Sequence, residues 1–169
     1  MPRMPSRLPP LFLLLALWTL SSWTRADAAG IAVIVAHDAP RLHLDRATLR
    51  DIYLKKIFVD EHGTALIPVN LPPDDPLRRA FSLNLFRETA DELQSYWNER
   101  YFHGVRPPYV LGSPNAVVRF VARTSGAIGY VATCQVDASV RQVLVLPVPA
   151  SEREAVDRLC DGSRHRDDS

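Results

Sequence analysis

The chain has 169 residues, 47% of them hydrophobic, and its 20 Lys and Arg are nearly balanced by 19 Asp and Glu for a formal net charge of +1. So neutral a chain has no basic surplus with which to neutralise nucleic-acid phosphates, and its length is that of about one domain once a leader is set aside. The 5 histidines (His37, His43, His62, His103 and His165) show no paired ligand spacing, which argues against a zinc site.

Arg3 and Arg7 precede an apolar run from Leu8 to Trp23, and small residues follow at Ala26-Asp27-Ala28. A charged beginning, an apolar middle and an A-x-A site predict a secretory signal over residues 1–28, cleaved after Ala28. A membrane anchor is the competing reading; the run is shorter than the ~20 apolar residues a span needs and is broken by Pro9 and Pro10. Loss of Arg3, Arg7, Arg25 and Asp27 would take the formal charge to about −1. The expected product is periplasmic or secreted, with no membrane span after cleavage.

Gly30-Ile31-Ala32-Val33-Ile34-Val35-Ala36 is an unbroken apolar, β-branched run of the kind buried on both faces of a parallel sheet, and predicts a central strand. Asp45 can cap a helix in which Leu49, Ile52 and Tyr53 share a face. Asp60-Glu61-His62-Gly63 is a turn, after which Ala65 to Asn70 reads as a second strand whose Pro68 argues for an edge or an early exit. The loop Leu71-Pro72-Pro73-Asp74-Asp75-Pro76 leads into a helix with Leu77, Phe81 and Leu85 at helical spacing, and Arg78 and Arg79 are assigned to its solvated face.

Thr89-Ala90-Asp91-Glu92 fits a capping arrangement for a helix along which Leu93, Tyr96, Trp97, Arg100 and Tyr101 lie on one side. Such a stripe is read as core in preference to a stacking platform for a ligand, with Trp97 as the most buried side chain. Ser113 and Pro114 then open a helix with Val117, Val118 and Val121 on its apolar side, Gly126 stops it, and Ala127-Ile128-Gly129-Tyr130-Val131 is a buried strand. Val143 to Val148 is a further strand, Ser151 can cap a short helix with Glu154 in the reciprocal position, and residues 161–169 form a polar tail expected to fray. Strands alternating with amphipathic helices predict one α/β domain over residues 29–160, a mixed sheet of about four or five strands flanked by helices.

Cys134 and Cys160 are the two thiols available for oxidation. Export would permit them to pair, tying the C-terminal segment to the end of the central strand and contributing ~3.5 kcal/mol on the chain-entropy model; two unrelated thiols are the alternative.

Ser125-Gly126-Ala127-Ile128-Gly129-Tyr130-Val131 resembles the "GAIGYV" signature of phosphate-type periplasmic solute-binding proteins. Leu49 to Lys56, similar to that family's "L-x-x-I-F-x-G-K", then Ile67-Pro68-Val69-Asn70 and Arg79-Ala80-Phe81, follow in the family's order, so that the likeness covers roughly residues 31–147. It implies a type II periplasmic-binding-protein-like fold, one lobe of the two that such receptors have. The family's anion loop carries an Arg, three residues, then Ser-Gly-Thr at a helix start, followed four residues later by Phe. Anchored on Phe81, that pattern puts Leu71 at the Arg place and Asp75-Pro76-Leu77 at the Ser-Gly-Thr place. The donors are missing, Asp74 and Asp75 carry the wrong sign for phosphate, and Pro76 has no N–H.

Catalysis has little support, since the sequence has no Gly-x-Ser-x-Gly, no HExxH and no phosphate-cradling glycine loop. No cofactor is implied. Two functions stay open. One is a non-catalytic solute-binding-like module for a small anionic solute, with His37, Asp38, Asn70 and Ser113 as loop residues expected to converge beside the strand ends. The other is an adaptor of the cell envelope that uses the same fold to bind a protein. A single lobe cannot clamp a solute between two walls, so tight binding would call for a dimer or a partner lobe.

Overall fold

The computed structural model describes residues 29–167, with side chains described to residue 162. The expected leader, residues 1–28, lies outside the described residues. Five strands form one mixed sheet: β1 (Ile31–Ala36), β2 (Ile67–Asn70), β3 (Tyr109–Val110), β4 (Ala127–Ala132) and β5 (Val140–Leu146), in the order β3-β2-β4-β1-β5. The helices are α1 (Arg46–Tyr53), α2 (Pro76–Leu85), α3 (Gln94–Phe102), α4 (Pro114–Arg123) and α5 (Arg153–Asp167).

β1 is central and wholly buried, as its composition predicts. It runs antiparallel to both neighbours, β4 and β5, and not parallel as its apolar run suggests, since burial on both faces needs only helix cover and no particular strand direction; β2 is parallel to β3 and to β4. Four strands therefore point one way and β1 alone points the other.

Pro68 sits in an inner strand, not at an edge. Ile67 directs its N–H to Gly126 of the β4 side at 2.8 Å, so the next residue faces the β3 side, and β3 pairs only with Val69 and Asn70. The proline thus occupies the one place in β2 where no ladder donor is needed.

Helix starts follow the sequence closely. Asp45 accepts from Thr48 N–H at 2.7 Å, Asp75 from Leu77 N–H at 2.8 Å, and Ser113 from Ala116 N–H at 3.2 Å, with Pro76 and Pro114 in the first turns. α4 lies over the sheet at Gly129, where an added Cβ would stand 2.5 Å from Val117 Cγ1. Gly126 has φ +74°, and a Cβ there would stand 1.9 Å from the carbonyl oxygen of Ala65.

Three expectations need correction. Trp97 is only partly buried, and α3 buries none of its residues fully. The aromatic centre is instead Tyr53, Phe81 and Tyr130, drawn from α1, α2 and β4. Helical spacing identifies the inner face of α3, but α3 packs at the margin of the core, with Tyr96 donating to Leu54 C=O at 2.7 Å. Thr89 and Glu92 do make the reciprocal capping bonds, yet regular helix begins only at Gln94. At the other end, α5 (Arg153–Asp167) starts at Arg153 with Glu154 paired to Arg158, so Ser151 is not its cap. Cys134 and Cys160 are joined, with Cα atoms 5.6 Å apart.

Candidate functional site

The reversed direction of β1 divides the residues that the sequence grouped. Asn70 and the loop carrying Ser113 sit at the carboxyl edge of the parallel strands, where Leu111 N–H donates to Asn70 C=O at 2.8 Å. His37 and Asp38 follow β1 and therefore leave the sheet at its opposite edge, where His37 N–H donates to Ser139 C=O at 3.2 Å just before β5. A strand of this length spans roughly 20 Å. The four residues do not converge on one ligand.

At the Asn70 edge the polar groups form a buried network. Tyr130 donates its hydroxyl to Asn70 Oδ1 and accepts from Leu71 N–H, both at 3.3 Å. Burial pushes the Tyr130 phenol up to about 12, partly offset by the nearby Arg78 guanidinium. Tyr53, whose hydroxyl lies 3.0 Å from Val69 C=O and 3.3 Å from Ile128 C=O, is also raised well above its ordinary value by burial. Both phenols stay neutral and serve as connectors between strands.

Arg78 departs from its expected place on a solvated face. Only 8% of it is exposed, its Nε and Nη1 find no partner, and it has no ion-pair partner among the described residues. The sequence did hold a signal. Arg78, Ser82 and Leu85 continue the stripe of Leu77 and Phe81, and all five are buried, so α2 is inside over more than half its circumference. Arg79, one residue on, is the solvent-facing arginine and pairs with Glu152 at 3.1 Å.

The start of α2 is closed to an external anion by its own chain. Asp75 Oδ1 accepts from Leu77 N–H at 2.8 Å and from Arg78 N–H at 3.4 Å, and Pro76 offers no donor. Ser113 is likewise engaged as the cap of α4. Among the described residues, no group of three or more His, Cys, Asp or Glu side chains is placed to hold a metal ion.

The opposite edge is more open. A cavity of about 320 Å³ lies between the end of β1, the end of α4 and the start of β4, and Asp38 lines it together with Leu42, Leu66, Arg123, Ser125 and Ile128. His37 does not line it.

No family model and no curated protein matches the sequence. Solved phosphate receptors do share the fold. An ABC-type phosphate transport receptor from Vibrio cholerae superposes with a TM-score of 0.56 at 22% identity, over 68% of this chain and 45% of that one. A phosphate ABC transporter substrate-binding protein from Clostridium perfringens, solved with bound phosphate, gives 0.56 at 19% identity over 79% and 61%. PstS from Borrelia burgdorferi gives 0.52 at 13% identity over 73% and 49%. The chain thus spans about half the length of the receptors it matches. Its mixed five-stranded sheet flanked by helices is the fold of one lobe of a periplasmic binding protein. Among the described residues, no helix is long and apolar enough to cross a membrane.

Proposed function

We propose that the protein is an exported, non-catalytic solute-binding-like module of the phosphate-receptor type that does not hold phosphate at the start of α2. The observation that carries this reading is the Asp75 cap. In an anion site at a helix start, free N–H groups and the positive helix end converge on the ligand. Here the same N–H groups are bonded to a carboxylate of the chain, and a second carboxylate, Asp74, precedes it. An incoming phosphate would have to displace the two charge-assisted bonds to Asp75 and face two like charges, each lost bond costing ~1.5 to 3 kcal/mol.

Isothermal titration with phosphate at moderate salt tests the reading. The expected dissociation constant lies above ~1 mM, and one at or below ~10 μM would overturn it. Replacing Asp75 by Ser and Pro76 by Gly should tighten phosphate binding by freeing the amides. If the unaltered protein binds tightly and Arg78→Met abolishes that binding, recognition resides in the buried guanidinium one turn along α2.

The envelope-adaptor reading has one observation in its favour. Segment 101–110 exposes Tyr101, Phe102, Tyr109 and Val110, the last two forming the edge strand β3. Apolar side chains beside an unpaired strand edge suit a protein partner, a second copy or a partner lobe. Concentration-dependent sedimentation that is lost when Phe102 and Tyr109 become Ser would favour it.

A further inference from the structure

The cavity at the Asp38 edge is independent of the α2 loop. Its volume of about 320 Å³ falls at the lower end of small-molecule sites. Leu42, Leu66 and Ile128 give the cavity apolar lining, and two opposite charges, Asp38 and Arg123, line it as well. These two do not pair with each other, and neither has an ion-pair partner among the described residues. Asp60 also lines the cavity, but its Oδ1 already accepts from His62 N–H at 2.9 Å and Thr64 N–H at 2.8 Å and so is committed to its own turn.

The end of α4 adds a second negative element. α1, α2 and α3 each close with a backbone N–H bond from the capping residue, whereas the extended Thr124 donates none back into α4, and its own C=O accepts from Ala127 N–H at 3.1 Å. The carbonyl end of a helix favours a cation. A simple anion entering the cavity would meet Asp38, Asp60 and this helix end. A simple cation would meet Arg123. A solute carrying both signs satisfies both walls at once.

We propose that this cavity is a solute site for a small zwitterion with an apolar body, the chemical class of an apolar α-amino acid. The carboxylate faces the Arg123 guanidinium, the ammonium faces Asp38, and the aliphatic part rests on Leu42, Leu66 and Ile128. The loop that presents Asp38 is already held in place, since Ala39 N–H donates to Ala36 C=O at 3.1 Å and Arg141 Nη2 donates to Ala39 C=O at 2.9 Å. A preformed wall of this kind reduces the ordering cost of binding.

The test is titration of the purified protein with leucine, with isoamylamine, which lacks the carboxylate, and with 4-methylpentanoate, which lacks the ammonium. Leucine should bind at least ~10-fold more tightly than either analogue, and Asp38→Asn and Arg123→Gln should each weaken it ~10-fold or more, as expected for loss of a charge-assisted contact. Both residues are exposed, so circular dichroism should find both variants folded. Amide shifts on leucine addition should cluster at residues 38–42 and 123–128 and spare Asn70. Absence of any shift at 10 mM leucine, or either analogue binding as tightly as leucine, would overturn the proposal. Replacement of Asp75 should leave leucine binding unchanged, so failure here and failure of the phosphate reading are separable.

Discussion

The Phe81 ring lies flat on the Tyr130 ring, with centroids 3.8 Å apart and planes 4° from parallel. Tyr53 closes the cluster from α1, its centroid 4.8 Å from that of Phe81. This contact joins α2 to the middle of the sheet. Phe81→Ala should cost about 3 to 5 kcal/mol as a core deletion, and Trp97→Ala clearly less, because Trp97 is only partly buried. Urea titration of the two variants side by side checks the order; equal losses would show that α3 is packed more deeply than described.

Tyr130 makes stability depend on alkaline pH. Its phenol is raised from 10.0 to about 12, so between those values the unfolded chain has lost the proton while the folded chain keeps it. The unfolded state then binds fewer protons, and stability falls with rising pH by up to about 1.4 kcal/mol per unit for this group. The contribution is fully present below pH 10 and lost toward about pH 12. Tyr53 acts in the same direction. Tyr130→Phe should flatten the decline in melts taken from pH 9 to 12, while costing ~1 to 3 kcal/mol at neutral pH for the unsatisfied Asn70 and Leu71 groups.

Gly129 is required by α4. A methyl group at that position would overlap Val117 Cγ1 at 2.5 Å and Val121 Cγ2 at 2.9 Å. Gly129→Ala should destabilise by ~1 to 3 kcal/mol, and Val117→Ala in the same chain should recover part of the loss, giving a favourable coupling in a double-mutant cycle. Additive losses in denaturant titration would mean that the helix does not sit over the glycine.

The bridge between Cys134 and Cys160 closes a sequence separation of 26 residues. On the chain-entropy model it contributes ~3.5 kcal/mol. The unreduced, denatured protein should therefore show no thiol reactivity, and reduction should lower the denaturation midpoint accordingly. Detection of two reactive thiols before reduction would refute the pairing.

The sequence was most informative where local chemistry decides the outcome. Asp45 and Ser113 each cap the helix they were expected to open, because a short oxygen-bearing side chain acts on N–H groups about three residues away. The run from Ile31 to Ala36 announced a buried strand for a similar reason. An apolar run carries no direction, however, so the antiparallel setting of β1 was not legible, and with it went the convergence of Asp38 and Asn70. Arg78 was hidden differently. Its charge suggested solvent, and only the depth of α2 against the sheet decides its burial.

The central position of β1 also governs when the sheet can form. Ile31 pairs with Ala132 on one side and with Leu146 on the other, so β1 waits for partners about 100 residues later in the chain. Until β4 and β5 exist, a fully apolar hexapeptide has nowhere to be buried and is the segment most exposed to wrong pairing. A ribosome-bound fragment ending before Val140 could hold α1 and β2 but not a closed core. Closure of the sheet therefore waits for β5 and is sealed covalently when Cys160 reaches Cys134.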